Sequence, residues 1–127
     1  MAGHRNLVVW KKSMAFVTEL YLVTQTFPRD ELYGLVSQLR RAAVSIPSNL
    51  AEGYGRNSTR ELHQYIGNAR GSAAEVETQI EIARDLGYLK PEAAKALVAK
   101  IAEIGRMLTG LRDWSEEEIG KGRAPSR

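Results

Sequence analysis

Apolar residues recur every three or four positions along most of the chain, which is the spacing of amphipathic α-helices. Prolines, glycines and one capping sequence divide this pattern into segments joined by short connections. Short connections favour antiparallel neighbours, so the pattern predicts an all-α protein, an antiparallel up-down-up-down four-helix bundle. The predicted helices cover approximately residues 8–26, 28–53, 59–87 and 91–114.

One apolar stripe on each predicted helix is expected to form the shared core. On the first helix the stripe contains Trp10, Met14, Val17, Leu20, Tyr21 and Val23. On the second helix it contains Leu32, Leu35, Leu39, Ala42, Ala43, Ile46 and Leu50. The third and fourth helices carry heptad-like seams over residues 62–83 and 94–111, typical of helices that pack about 20° from antiparallel.

Local signals set the predicted helix ends. Pro28 suits the first position of helix two, and Ser58 with Glu61 forms a capping box that begins helix three. Gly53 and Gly55 are expected to end helix two in the left-handed conformation, and Pro47 is expected to bend it. Residues 1–118 are therefore predicted to form the bundle, and residues 119–127 a disordered tail.

Composition narrows the possible environments and partners. The 127 residues include no cysteine and no apolar run of about 20 residues, so a cytoplasmic protein without a membrane span is expected. The net charge is +3, and the basic excess lies in residues 1–60, which hold eight basic and four acidic residues. A basic half suggests an anionic partner such as nucleic acid, although ordinary solvated faces also produce so small a bias.

A polar line runs along helix two beside its apolar stripe rather than opposite to it. Its members are spaced three or four residues apart and include short amides and hydroxyls, which suggests a hydrogen-bonded seam. The partners would be Ser72, Glu75 and Gln79 of helix three, or another subunit; a solvated helix flank is the third interpretation. The residues of this line are Gln38, Arg41, Ser45, Asn49 and Glu52.

Basic side chains in the same half are candidates for phosphate contacts. Arginine and lysine bind the backbone of a nucleic acid, and an aromatic side chain such as Tyr54 offers a face for base stacking. Alternatively, Arg41 or Arg70 pairs with Glu52 or Glu75 inside the bundle. The candidate nucleic-acid-binding residues are Lys11, Lys12, Arg40, Arg56 and Arg60.

Catalytic and metal-binding patterns are weak. The two histidines, His4 and His63, form no Glu-x-x-His motif of the kind used by di-iron bundles, and no serine has a base placed by sequence. Paired carboxylates at Glu52 and Glu75 would be the only route to acid–base chemistry. We therefore expect no enzyme activity, no metal and no cofactor.

The second helix carries a distinctive motif, and the chain resembles a known family through it. The family comprises four-helix bundle proteins encoded in intervening sequences of bacterial large ribosomal RNA genes, and it includes the accessory variability protein of diversity-generating retroelements. The resemblance extends from Trp10 to Tyr88 by motifs and to about Trp114 by pattern. The residues that carry it are Phe27, Pro28, Glu31, Tyr33 to Leu35, Gln38, Arg40 to Ala42, Ser45 to Gly53, Gly55, Arg56, Gly71, Ser72 and Glu75.

This resemblance implies a homopentamer with a central pore and no catalytic activity. It also implies a basic surface that engages RNA or DNA and, in the retroelement branch, a reverse transcriptase. Two functions remain open at this point: an oligomeric nucleic-acid-binding protein, or a scaffold that binds another protein without nucleic acid.

Overall fold

The computed structural model describes residues 3–122, and within that range it contains helices and turns but no strand. Single 3-10 turns lie at His4–Asn6 and Arg29–Glu31. The four long helices are α1 (Val8–Thr24), α2 (Leu35–Tyr54), α3 (Thr59–Asp85) and α4 (Pro91–Gly120).

Side-chain contacts between neighbouring helices define the topology. In each neighbouring pair, residue numbers rise along one helix while they fall along the other. The predicted antiparallel, up-down-up-down four-helix bundle is therefore confirmed. The contacts are Ser45 with Ser72 and Gln38 with Gln79 for α2 and α3, His63 with Ser115 and Arg70 with Thr109 for α3 and α4, and Lys12 with Glu103 and Glu19 with Lys100 for α1 and α4.

The core of the bundle comes mainly from α2, α3 and α4, and here the predicted stripes are confirmed. Burying an aliphatic side chain removes apolar surface from water, which is the main force holding such helices together. The most deeply buried members are Leu39, Ile46, Leu50, Leu62, Ile66, Val76, Ile80, Leu97, Ile101, Ile104 and Leu108.

The buried face of α1 differs from the prediction. Of the predicted stripe, Leu20 is buried and Trp10, Val17 and Val23 are partly buried against the core, while Met14 and Tyr21 are exposed. The true core face includes two polar residues whose hydroxyls donate to the carbonyl one turn earlier, at 2.7 Å from Ser13 to Val9 and 2.8 Å from Thr24 to Leu20. Because these hydroxyls are satisfied within the helix, they can be buried. The buried residues of α1 are Val9, Ser13, Phe16, Leu20 and Thr24.

The start of α2 was also predicted wrongly. The chain after Pro28 forms only a 3-10 turn, and α2 begins seven residues later, at Leu35. Gly34 interrupts the helical path with φ −107° and ψ −112°. Leu32, expected in the core, therefore lies outside α2 and is 47% exposed.

Two helix ends show how local chemistry fixes the boundaries. The backbone amide of Glu61 donates to the Ser58 hydroxyl at 3.3 Å, so the predicted cap of α3 is confirmed. After α3, Gly87 adopts φ +80°, the left-handed conformation that ends helices. The same role expected of Gly53 and Gly55 is wrong, because Gly53 lies inside α2 and Gly55 has φ −79°.

Two further predictions concern Pro47 and the C-terminal end of the bundle. Pro47 is buried within a continuous α2, and a bend there remains a prediction. The α4 helix continues to Gly120, two residues beyond the predicted end of the bundle, and residues 123–127 of the predicted tail lie outside the described residues. Within residues 3–122, every helix is too short or too polar to cross a membrane.

One carboxylate connects the two loops at the end of the bundle where α2 begins. Glu31 accepts a hydrogen bond from the Leu35 amide at 3.0 Å, which caps α2, and another from the Tyr88 hydroxyl at 2.9 Å. The Leu35 amide and, secondarily, the Tyr88 hydroxyl stabilise the charged form and lower the pKa of Glu31. The same contact raises the pKa of Tyr88.

We expect Glu31→Gln to flatten the acid limb of the stability profile. A carboxylate with a lowered pKa stabilises the fold above its unfolded pKa, near 4.5, and this contribution is lost as the pH falls through the lowered value. The melting temperature of the wild type should therefore fall more steeply below about pH 5 than that of E31Q. Glu75→Gln, at an exposed carboxylate that makes no hydrogen bond within the described residues, is the control and should keep the wild-type slope.

Candidate functional site

The predicted polar line on α2 forms part of the contact between α2 and α3. The Ser45 and Ser72 hydroxyls are hydrogen-bonded to each other across the two helices. One turn away, the Asn49 amide donates to the Ser45 carbonyl at 2.7 Å. Of the two partners considered from sequence, helix three of the same chain or another subunit, Ser45 therefore uses helix three.

The ends of the line behave differently from its middle. At one end, the Gln79 amide donates to the Gln38 side-chain oxygen at 3.4 Å. Arg41 and Glu75 are exposed, and neither has an ion-pair partner among residues 3–122. The pairing of Arg41 with Glu52 or Glu75, one of the alternatives left open by the sequence, is absent from this part of the chain.

At the other end of the line, Glu52 belongs to a three-residue cluster. Arg56 donates to Glu52 at 3.1 Å and to the Tyr65 hydroxyl at 2.8 Å, and that hydroxyl donates to Glu52 at 3.2 Å. The Arg56 guanidinium also lies 5.3 Å from the centre of the Tyr65 ring. The hydrogen bond to Glu52 is the main reason that the pKa of Arg56 is raised.

The approach of α2 to α3 beneath this cluster depends on Gly53. A Cβ atom at this position would lie 2.8 Å from Tyr65 Cβ and 3.1 Å from Leu62 Cδ1. Both distances are shorter than ordinary carbon contacts, so no larger residue fits without moving α3. The Glu52-Gly53 pair thus supplies one polar link and one close contact between the same two helices.

The candidate nucleic-acid-binding residues do not form one continuous patch. Arg40 lies on α2 and Arg56 lies two residues beyond its end at Tyr54, so the two are separated by about 21 Å of helix and the turn that follows it. The Arg40 guanidinium lies 4.4 Å from the Tyr21 ring centre and donates to the Thr24 hydroxyl at 2.9 Å. Arg40 therefore fastens α2 to α1.

The remaining candidates divide into paired and unpaired groups. Lys12 pairs with Glu103 at 3.3 Å. Lys11 and Arg60 are exposed and have no anionic partner in the described residues. Tyr54 is buried, so its ring is not available for base stacking. Of the five candidates, Lys11 and Arg60 are therefore the two that have neither an ion-pair nor a hydrogen-bond partner within residues 3–122.

The side chains that could act in catalysis are either far apart or hydrogen-bonded within the bundle. Glu52 contacts Tyr65, which lies ten residues, or about 15 Å of helix, from Glu75, so the two carboxylates do not share a site. Ser115 is fully buried and its hydroxyl donates to the Arg112 carbonyl at 2.8 Å, so this hydroxyl accepts from His63 Nδ1–H at 2.7 Å. Residues 3–122 contain no group of three acidic or histidine side chains placed to hold a metal ion.

Two surfaces of the bundle were not predicted from the sequence. The outer side of α1 exposes large apolar side chains, and a groove between α3 and α4 has a floor of small residues. The helical glycines at 67, 71 and 105 were a visible signal for the groove. On the exposed side of α1, Met14 and Tyr21 had been assigned to the core.

Comparison with known proteins identifies the relatives of this fold. A family model described as 23S rRNA-intervening sequence protein matches residues 5–110. A solved structure from Bacteroides thetaiotaomicron, a protein of unknown function from the S23 ribosomal protein family, is similar with a TM-score of 0.75 at 21% identity. The similarity covers 83% of this chain and 98% of that one, and at this identity it shows the shared fold. No curated protein sequence is significantly similar.

We expect Gly53→Ala to destabilise the protein by about 1–3 kcal/mol, because the added methyl group overpacks the α2–α3 contact. Urea unfolding followed by circular dichroism measures the effect. Gly110→Ala is the matched control, since a Cβ there meets nothing within 4 Å and alanine favours the helix over glycine. Equal stability of G53A and G110A would contradict the role assigned to Gly53.

Proposed function

Because the chain belongs to the 23S rRNA-intervening sequence protein family, we propose that it is a non-enzymatic, homo-oligomeric four-helix bundle protein that binds RNA or DNA. Five copies assemble, as the family resemblance implies, and the assembly works in the cytoplasm. Self-association and nucleic-acid binding rest on different residues of the chain.

The outer side of α1 is the observation that carries self-association. Val8, Met14, Tyr21 and Leu22 are each between 40% and 60% exposed, although the opposite side of the same helix is buried. Clustered exposed apolar residues mark interaction surfaces. A second copy of the chain is the partner that covers this side.

The connection of α1 to α4 leaves room for such a partner. Two exposed ion pairs, Lys12–Glu103 at 3.3 Å and Lys100–Glu19 at 2.7 Å, bridge the helices. Between them lies a cleft of about 250 Å³ that reaches Phe16 and Ile104. Exposed ion pairs contribute little stability, so a partner that buried this side of α1 would stabilise the fold.

We expect Leu22→Glu to dissociate the assembly toward the 14.1 kDa monomer. Leu22 is 60% exposed within one chain, so a charge there is tolerated in the monomer but is unfavourable in an apolar interface. Light scattering coupled to size-exclusion chromatography gives the mass. Leu86→Glu, at a leucine that is 55% exposed beyond the end of α3, is the control and should retain the wild-type mass. A monomeric wild type at all concentrations would refute self-association.

Nucleic-acid binding is supported by Arg60, one of the two candidates without a partner among the described residues. Arg60 lies in the first turn of α3, is exposed and has no anionic partner within residues 3–122. Arg56 lies four residues away but is already bound to Glu52 and Tyr65. Repetition in an oligomer would multiply the few phosphate contacts that one chain offers. The alternative, a scaffold that binds another protein, does not require Arg60 to contact phosphate.

We expect Arg60→Glu to weaken binding of RNA or DNA and to reduce the slope of log affinity against log salt by about 1 per lost contact. Filter binding across a salt series measures both quantities. Lys95→Glu makes the same change in net charge at the opposite end of the bundle and should bind nearly as the wild type does. Absence of binding by the wild type at low salt would favour the protein scaffold.

A further inference from the structure

A groove of about 700 Å³ runs along the outside of the bundle between α3 and α4. Its floor is made of small residues, so the backbones of both helices are accessible from outside. On the rim, Arg70 is held by Thr109 at 3.2 Å, while Arg106 is exposed. The small residues are Gly67, Gly71 and Ala74 of α3 with Ala102 and Gly105 of α4.

The glycines of this groove have no structural role within a single chain. A Cβ atom at Gly67, Gly71 or Gly105 would meet nothing within 4 Å, in contrast to Gly53. Glycine inside a helix is less favourable than alanine because it loses more conformational freedom on folding. Glycine is useful at such positions when another backbone approaches closely from outside.

The groove also contains two charged side chains, Glu77 and Arg106, that have no ion-pair or hydrogen-bond partner within residues 3–122. Glu77 lines it and is half-buried, yet no lysine or arginine of residues 3–122 pairs with it. Lys11 is exposed on α1 and has no acidic partner in the same range. The charges of Lys11 and Glu77 are complementary, and each lies on a surface that one chain leaves open.

We propose that the α3–α4 groove of one copy receives the outer side of α1 from a second copy, with Lys11 beside Glu77 of the neighbour. The dimensions agree: Lys11 to Leu22 spans about 16 Å of helix, and Gly67 to Glu77 spans about 15 Å. This inference rests on the self-association proposed above and assigns its second surface.

The pairing of two different surfaces determines the kind of assembly. Each copy offers α1 to one neighbour and its groove to another, so the interface is heterologous. A heterologous interface closes into a ring with any number of copies, including five, whereas a two-fold interface produces dimers.

Gly71→Leu tests the groove directly. The leucine side chain would fill the groove. Because a Cβ at this position meets nothing within 4 Å, the variant protein should keep or raise its melting temperature. We expect G71L to run as a monomer in light scattering at concentrations where the wild type is assembled. Gly110→Leu is the matched control, because Gly110 is equally open but does not line the groove; it should remain assembled.

Charge reversal provides a second test that does not place a bulky apolar side chain in the groove. Lys11→Glu and Glu77→Lys should each weaken the assembly at low salt, and the double variant should restore it. Failure of the double variant to recover would overturn the Lys11–Glu77 pairing even if G71L did not fold.

The outcomes separate this inference from the proposed function. A monomeric wild type would overturn self-association and the groove together. An assembled wild type whose mass is unchanged by G71L would overturn the groove alone, as would a wild type that forms only dimers.

Discussion

The close packing of α2 on α3 is the constraint on which the bundle depends. Gly53 allows the two backbones to approach at one end, and the Ser45–Ser72 hydrogen bond joins them in the middle. The other two helices are then added to this pair, since α1 attaches to α2 through Arg40 and α4 packs along α3. A shift of α2 against α3 would therefore displace both outer helices.

Where the sequence predicted the core correctly, the residues of the predicted seam were all apolar. The seams of α3 and α4 were of this kind, and their packing follows directly from their spacing. The face of α1 could not be found in this way, because Ser13 and Thr24 are buried after donating to their own helix. The start of α2 was missed for a similar reason, since its cap comes from the Glu31 side chain rather than from a residue at the usual position.

The residue types of the candidate site were predictable from the sequence, but the residues that they contact were not. Arginine suits phosphate and carboxylate equally well, so only the fold reveals that Arg40 and Arg56 already have partners while Arg60 does not. The polar line on α2 was visible as a pattern in the sequence. Its contact with α3 could be identified only from the positions of both helices. The open glycines were readable from the sequence, but their exposure was not.

The two ion pairs that bridge α1 and α4 have a consequence for how the protein unfolds. Both are exposed and thus weakened by salt, whereas α2, α3 and α4 share the densest part of the core. Because stability is not uniform across a fold, α1, which is held partly by such pairs, is expected to open more readily than the other three helices. In a single chain we expect the amides of α1 to exchange with solvent first, and the order in which the helices open to depend on ionic strength.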